Sequence, residues 1–199
     1  MGQPKFLVVD LEATCDEGGR IHRRQMEIIE IGAVIVDPDS LLVLREFQTF
    51  VRPVIHTRLT PFCTRLTSIT QDQVDGAPGF PEAIETMRAF LAVDPYVRFC
   101  SWGDYDRKQF LQDAGRHNVS LPFSAHWHIN LKASFSEALR TGRRFGLGQA
   151  IQRAGLSFEG CHHRGIDDAR NIARLMPYIY GKAPFPPVPA REKRRRRRR

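Results

Sequence analysis

Hydrophobic and polar positions split the chain into an opening of continuous apolar runs and a remainder in which such runs alternate with helical stripes. "KFLVVDLE", residues 5–12, is a run of the kind buried on both faces of a sheet. "MEIIEIGAVIVD" (26–37) is a second, stopped by the turn residues "DPDS", and "LLVLREFQTFV" (41–51) is a third. Three strands with short connections predict an antiparallel meander. After Pro53 the period changes. Thr60 is placed to cap a helix whose first position is Pro61. "FPEAIETMRAFLAV" (80–93) then carries a helical stripe of Ile84, Met87, Phe90 and Leu91. "YVRFCSW" (96–102) predicts a fourth strand, "DYDRKQFLQDAGRHN" (104–118) a helix and "HWHINL" (126–131) a short fifth strand. Further helices are expected at about 131–140, 147–154 and 167–180. The pattern is that of an α/β fold with a mixed central sheet flanked by helices. One domain over residues 1–182 is expected. Residues 183–199 form a proline-rich linker, "APFPPVPA", and an arginine run expected to be disordered.

Composition adds exclusions. With 42% hydrophobic and 26% charged residues the chain reads as an ordinary globular domain. No apolar stretch approaches the ~20 residues that cross a bilayer, so no membrane partner is expected. The N-terminus runs directly into a strand, which predicts no secretory signal. Cys15, Cys63, Cys100 and Cys161 form no C-x-x-C pair, which argues against a zinc ribbon or a disulfide scaffold and suits a cytoplasmic location. The net charge of +8 is concentrated in the tail. The last nine residues, "REKRRRRRR", hold eight basic residues and one acid, and the rest of the chain keeps 22 basic and 21 acidic residues. Such a tail would bind any polyanion without sequence preference.

Candidate chemistry lies at the element ends. Asp10 and Glu12, spaced i, i+2 on the first strand, project from one face of the sheet. Read alone, they are either a strand end reaching solvent or a pair that repels unless a cation or a proton lies between them. "SWGDYDRKQFL" places Asp104 and Asp106 where a strand gives way to a helix, and only one of them can cap that helix. In "HHRGIDDARNIARLM", His163 and Asp168 are five residues apart, with Gly165 permitting a turn before the helix. Asp167 or Asp168 is again a candidate cap. Together the clusters occupy the kind of positions where open α/β sheets build their sites. Oxygen ligands without cysteine favour Mg²⁺ or Mn²⁺, and several carboxylates with one histidine suit metal-assisted hydrolysis.

Asp10-x-Glu12, Tyr105-Asp106 followed by Phe110-Leu111, and His163-x-x-x-x-Asp168 resemble the motifs of the DEDDh (DnaQ-like) 3′–5′ exonucleases. The stretches "FLVVDLEATC", "EIIEIGAVIVD", "LTPFCTRLTSITQDQVD" and "HRGIDDARNIARL" resemble more narrowly the ERI-type exoribonucleases that trim histone-mRNA and small-RNA 3′ ends. The resemblance spans residues 5 to about 180. It implies an RNase H-like five-stranded sheet, and two Mg²⁺ or Mn²⁺ ions held by Asp10, Glu12, Asp106 and Asp168. It also implies His163 as general base, with His162 as its rival. Asp106 is preferred to Asp104 because the family's acid follows an aromatic residue and precedes a Phe-Leu pair.

The implied activity is metal-dependent 3′–5′ hydrolysis of nucleic acid, of RNA 3′ ends first and of DNA as an alternative, with release of 5′-mononucleotides. A binding module without catalysis is the rival from another class, and it would predict a broken acid set. Leu11, Ala13 and Thr14 correspond to positions that meet the terminal nucleotide in the family. Trp102 and Tyr105 are candidate stacking faces for its base, or core aromatics. Arg107, Lys108 and Arg164 are candidate phosphate contacts, or solvated surface.

Overall fold

The computed structural model describes residues 3–187, so the last three residues of the linker and the whole arginine run lie outside the described residues. Strands β1 (Lys5–Ala13), β2 (Ile28–Val36) and β3 (Val43–Phe50) form the expected antiparallel meander. β4 (Val97–Ser101) and β5 (Ile129–Asn130) extend it in parallel on the other side of β1. The order β3-β2-β1-β4-β5 leaves β1 in the middle of a mixed five-stranded sheet.

The helices are α1 (Pro61–Thr67), α2 (Gln71–Asp75), α3 (Phe80–Leu91), α4 (Tyr105–His117), α5 (Leu131–Ala138), α6 (Leu147–Arg153) and α7 (Gly165–Ile179). Thr60 accepts the Cys63 N–H and Pro61 opens α1, as the sequence predicts. β5 is only two residues long, because residues 125–127 form a 3₁₀ turn and the Asn130 side chain turns to cap α5.

Alternation along β1 decides which helix meets which residue. Leu7, Val9 and Leu11 face one layer with Ile84, Met87 and Phe110 of α3 and α4. Phe6 and Val8 face the other with Ile166, Ala169, Ile172 and Met176 of α7. Asp10 and Glu12 continue the parity of Phe6 and Val8, so both carboxylates point to the side that α7 covers. β2 is buried throughout and registers Gly32 opposite Asp10 and Glu30 opposite Glu12.

The packing of α7 turns on two glycines. A Cβ at Gly32 would lie 2.0 Å from the Gly165 carbonyl carbon, and one at Gly165 would lie 2.9 Å from the Asp10 carbonyl oxygen. Bare backbone at both positions lets the first turn of α7 land on the sheet beside Asp10. The helix therefore starts at Gly165 and not at 167, and Gly165 is its first residue instead of a preceding turn. Asp167 and Asp168 lie in the first turn, so neither is the cap; the cap position belongs to Arg164.

Two features follow from tertiary packing. Phe185 packs at a tilt against Tyr178 and meets Phe135 edge-on, and the Pro186 carbonyl accepts from Arg153 at 2.8 Å, so the start of the expected linker lies on the domain. Cys15 and Cys63 belong to one cluster with Ile29 and Ile69, and all four cysteines are free thiols.

Candidate active site

β1 ends where three separate elements converge. It supplies Asp10 and Glu12, α4 supplies Asp106 from its first turn, and α7 supplies Asp168 from its first turn. Asp106 is buried, and its carboxylate accepts the Leu11 N–H at 3.1 Å, which ties α4 to β1 between the two strand acids. Asp104 occupies the cap position of α4 without a side-chain capping bond, and its carboxylate lies 3.7 Å from His128 Nδ1, half-exposed. The geometry thus brings Asp106 into the acid cluster and leaves Asp104 outside it.

His163 stands on the loop before α7 in a left-handed conformation, φ 60°, and its N–H donates to Asp168 Oδ2 at 3.0 Å. That bond explains the five-residue step, because it holds the histidine's backbone on the helix's own acid. Ligand atoms of Glu12, His163 and Asp168 all lie within 4.8 Å of one another. The neighbouring His162 is occupied elsewhere, stacked on Phe158 at 3.6 Å between ring centres.

Crowding shows in the titration of the acids. Burial, then the charges of Asp106, Asp168, Glu12 and Glu30, raises the Asp10 carboxyl well above the usual range. Glu12 is pushed up to about 9 by burial and then by Asp168, Glu30 and Asp106. Asp168 is pushed up to about 7 by burial, against the pull of the His163 N–H. Asp106 rises to about 6 for the same first reason, opposed by the Leu11 N–H and the Ser101 hydroxyl. His163 moves the other way. Partial desolvation by the surrounding loop, then His162, lowers its pKa below the ordinary histidine value, which favours the neutral imidazole at pH 7.

These residues fit divalent cations on their own chemistry. The cluster is four carboxylates and an imidazole, a hard donor set suited to Mg²⁺ or Mn²⁺. Asp168 Oδ1 is buried with no hydrogen-bond partner, a lone pair free for a ligand.

The expected nucleotide contacts have internal partners. The Leu11 N–H is taken by Asp106, and its side chain lies in the α3/α4 layer. The Ala13 carbonyl accepts the Cys63 thiol at 3.6 Å. Thr14 and Glu27 are joined twice, through the Thr14 N–H to the Glu27 carbonyl and through the Glu27 N–H to the Thr14 hydroxyl. Trp102 donates its indole N–H to the Phe145 carbonyl at 3.0 Å and meets Phe135 edge-on, the core alternative of its two readings. Tyr105 is different. It opens α4 beside Asp106 with 44% of its surface exposed. Burial, then Asp106 and Glu12, pushes its hydroxyl's pKa up. Arg164 turns inward to Glu30, at 3.2 Å, and not outward to a phosphate.

Glu30 is the residue that sequence reasoning passed over. It is fully buried near the start of β2 and raises the pKa values of Asp10, Glu12 and Asp168. Its signal was an acid interrupting the apolar run "EIIEIGAVIVD".

Residues 7–176 match the model of the Exonuclease family, of the RNase T type. Over 179 residues the chain is 37% identical to ERI1 exoribonuclease 3 of Mus musculus, covering 86% of this chain and 52% of that protein. Over 181 residues it is 33% identical to 3′-5′ exoribonuclease 1 of Homo sapiens, covering 85% of this chain and 50% of that protein. The chain thus spans about half the length of the curated relatives it matches. Among solved structures, the nuclease domain of 3′hExo, described as a DEDDh family member bound to rAMP, superposes with a TM-score of 0.81 at 29% identity, covering 90% of this chain and 92% of that one. The mixed sheet and its flanking helices are those of this RNase H-like exonuclease fold.

Proposed function

The chain belongs to the Exonuclease family, and from that premise we propose that it is a metal-dependent 3′–5′ exonuclease that hydrolyses RNA from its 3′ end and releases 5′-mononucleotides. The observation that carries the reading is the convergence of Glu12, His163 and Asp168 within 4.8 Å, walled by Asp10 and Asp106. Asp10, Glu12, Asp106 and Asp168 would hold the metal. Four carboxylates repelling one another match the charge of two divalent ions, Mg²⁺ or Mn²⁺. Bound there, such ions activate water and stabilise charge on a phosphodiester.

The chain's own residues supply the rest. His163, favoured in its neutral form at pH 7, accepts the proton of the attacking water, and the bond from its backbone to Asp168 keeps the base beside the acids. Tyr105, exposed at the mouth, offers a stacking face for the terminal base. RNA is preferred to DNA as the substrate because the relatives at 33–37% identity are named exoribonucleases. Action in the cytoplasm is part of the proposal and accords with four free thiols. Among the described residues no helix is long and apolar enough to cross a membrane.

The test incubates the protein with matched RNA and DNA oligonucleotides in Mg²⁺, in Mn²⁺ and in EDTA. RNA should shorten from the 3′ end only with metal and give nucleoside 5′-monophosphates. Faster loss of DNA would reassign the substrate, and stable binding of either polymer without cleavage would favour a binding module.

A further inference from the structure

Glu30 makes four polar contacts although it lies wholly inside the protein. Its carboxylate accepts from Arg164 Nε at 3.2 Å and Nη2 at 3.4 Å, from the Gly165 N–H at 3.1 Å and from Gln48 Nε2 at 2.6 Å. Two of those donors belong to Arg164 and one to Gly165, the residues that directly follow His163. The Arg164 guanidinium also lies over the Phe50 ring, 5.3 Å from its centre, so β3 holds it from the other side. His163 itself needs holding, because its backbone is left-handed in a residue other than glycine and its side chain is exposed.

We propose that Glu30 is a positioning residue for the general base: through Arg164 and the Gly165 N–H it fixes the loop that aims His163 at the Glu12–Asp168 acids. The proposal rests on the reading of His163 as the base. Glu30 stands opposite Glu12 on the neighbouring strand. The strand pair that carries one site acid therefore also carries the anchor of the base, and base and acids share one rigid frame. The Asp168 bond to the His163 N–H fixes one side of the histidine, and Glu30 fixes the other. Bidentate and buried on the Glu30 side, the Glu30–Arg164 pair also differs from an exposed ion pair, whose geometry water loosens.

The experiment is a double-mutant cycle at saturating Mn²⁺, which removes any effect of the Glu30 charge on metal affinity. Glu30→Gln should lower kcat on RNA by about tenfold to a hundredfold, the scale of a base displaced by about an ångström, with KM within about threefold. In a His163→Ala background the same change should cost less than about twofold, since the loop then carries nothing to aim. In parallel, the imidazole NMR signals of His163 should shift in Glu30→Gln, a readout that needs no activity. Should Glu30→Gln fail to fold, Arg164→Met takes its place in both measurements with the same expectation. Equal losses in both backgrounds, an unchanged kcat, or unmoved His163 signals would overturn the proposal. If the unmutated protein digests neither polymer, the nuclease reading fails, and the NMR comparison still decides whether Glu30 sets the histidine's position.

Discussion

Among single residues, the proposed base differs from the groups that hold it. His163 is exposed, favoured in its neutral form at pH 7 and tethered by its own N–H to Asp168. His163→Ala should reduce kcat by about 10²- to 10⁴-fold, the usual worth of a positioned base. The pH dependence has a defined sign. A base works only when unprotonated, and partial desolvation and His162 lower this imidazole's pKa. Activity at saturating metal should therefore climb through a limb centred below the ordinary histidine value of ~6.5. A limb centred above pH 7 would contradict the environment seen around the ring. The candidate acids and histidine that the structure brings together could be picked out of the sequence because each sits at a motif with fixed spacing. Glu30 could not, since a lone acid inside an apolar strand announces burial but not its partner. Trp102 and Arg164 carried ambiguous signals that only their neighbours resolve, Phe135 and the Phe145 carbonyl for one and Glu30 for the other.

At the scale of elements, the site depends on how closely α7 approaches the sheet. Gly32 and Gly165 form that contact, and a methyl group at Gly32 would have to overlap backbone, 2.0 Å from the Gly165 carbonyl carbon. Gly32→Ala should therefore push the first turn of α7 off β2, costing about 3 kcal/mol or more of stability and, by displacing Asp168, nearly all activity. Chemical denaturation alongside the RNA assay checks both, and a stable, active Gly32→Ala protein would show that the contact is not needed. The strands and most helices followed from periodicity. The start of α7 did not, because a glycine reads as a break in a helix, whereas here it is the only side chain small enough to bring the helix down. β5 was overestimated for a related reason: an apolar-aromatic run predicts pairing, but Asn130 is drawn into capping α5.

At the scale of the whole molecule, the fold spends stability to keep four acids together. Carboxyls raised from ordinary values of 3.8 and 4.5 to about 7 at Asp168 and about 9 at Glu12 hold protons in the folded state that the unfolded chain has released. Without metal, stability should therefore fall as pH rises from about 4 towards 9, and be independent of these groups' titration below about pH 4. Divalent ions bind the ionised acids, so Mn²⁺ should raise the melting temperature more at pH 8 than at pH 5. Thermal unfolding with Mn²⁺ and with EDTA at the two pH values checks this, and an equal effect at both would place the metal elsewhere. The fold class and the order of motifs were readable from the chain alone; the shared interior of the site was not, because proximity between β1, α4 and α7 arises only on packing. We propose that this shared interior is a metal-dependent catalytic centre. This is tested most directly by digestion of 5′-labelled RNA in Mn²⁺ by the unmutated protein, Asp10→Ala and Asp168→Ala, each first shown to be folded. The unmutated protein should give a ladder shortening from the 3′ end and both variants should leave the RNA intact; full digestion by either variant would rule out a catalytic centre built on these acids.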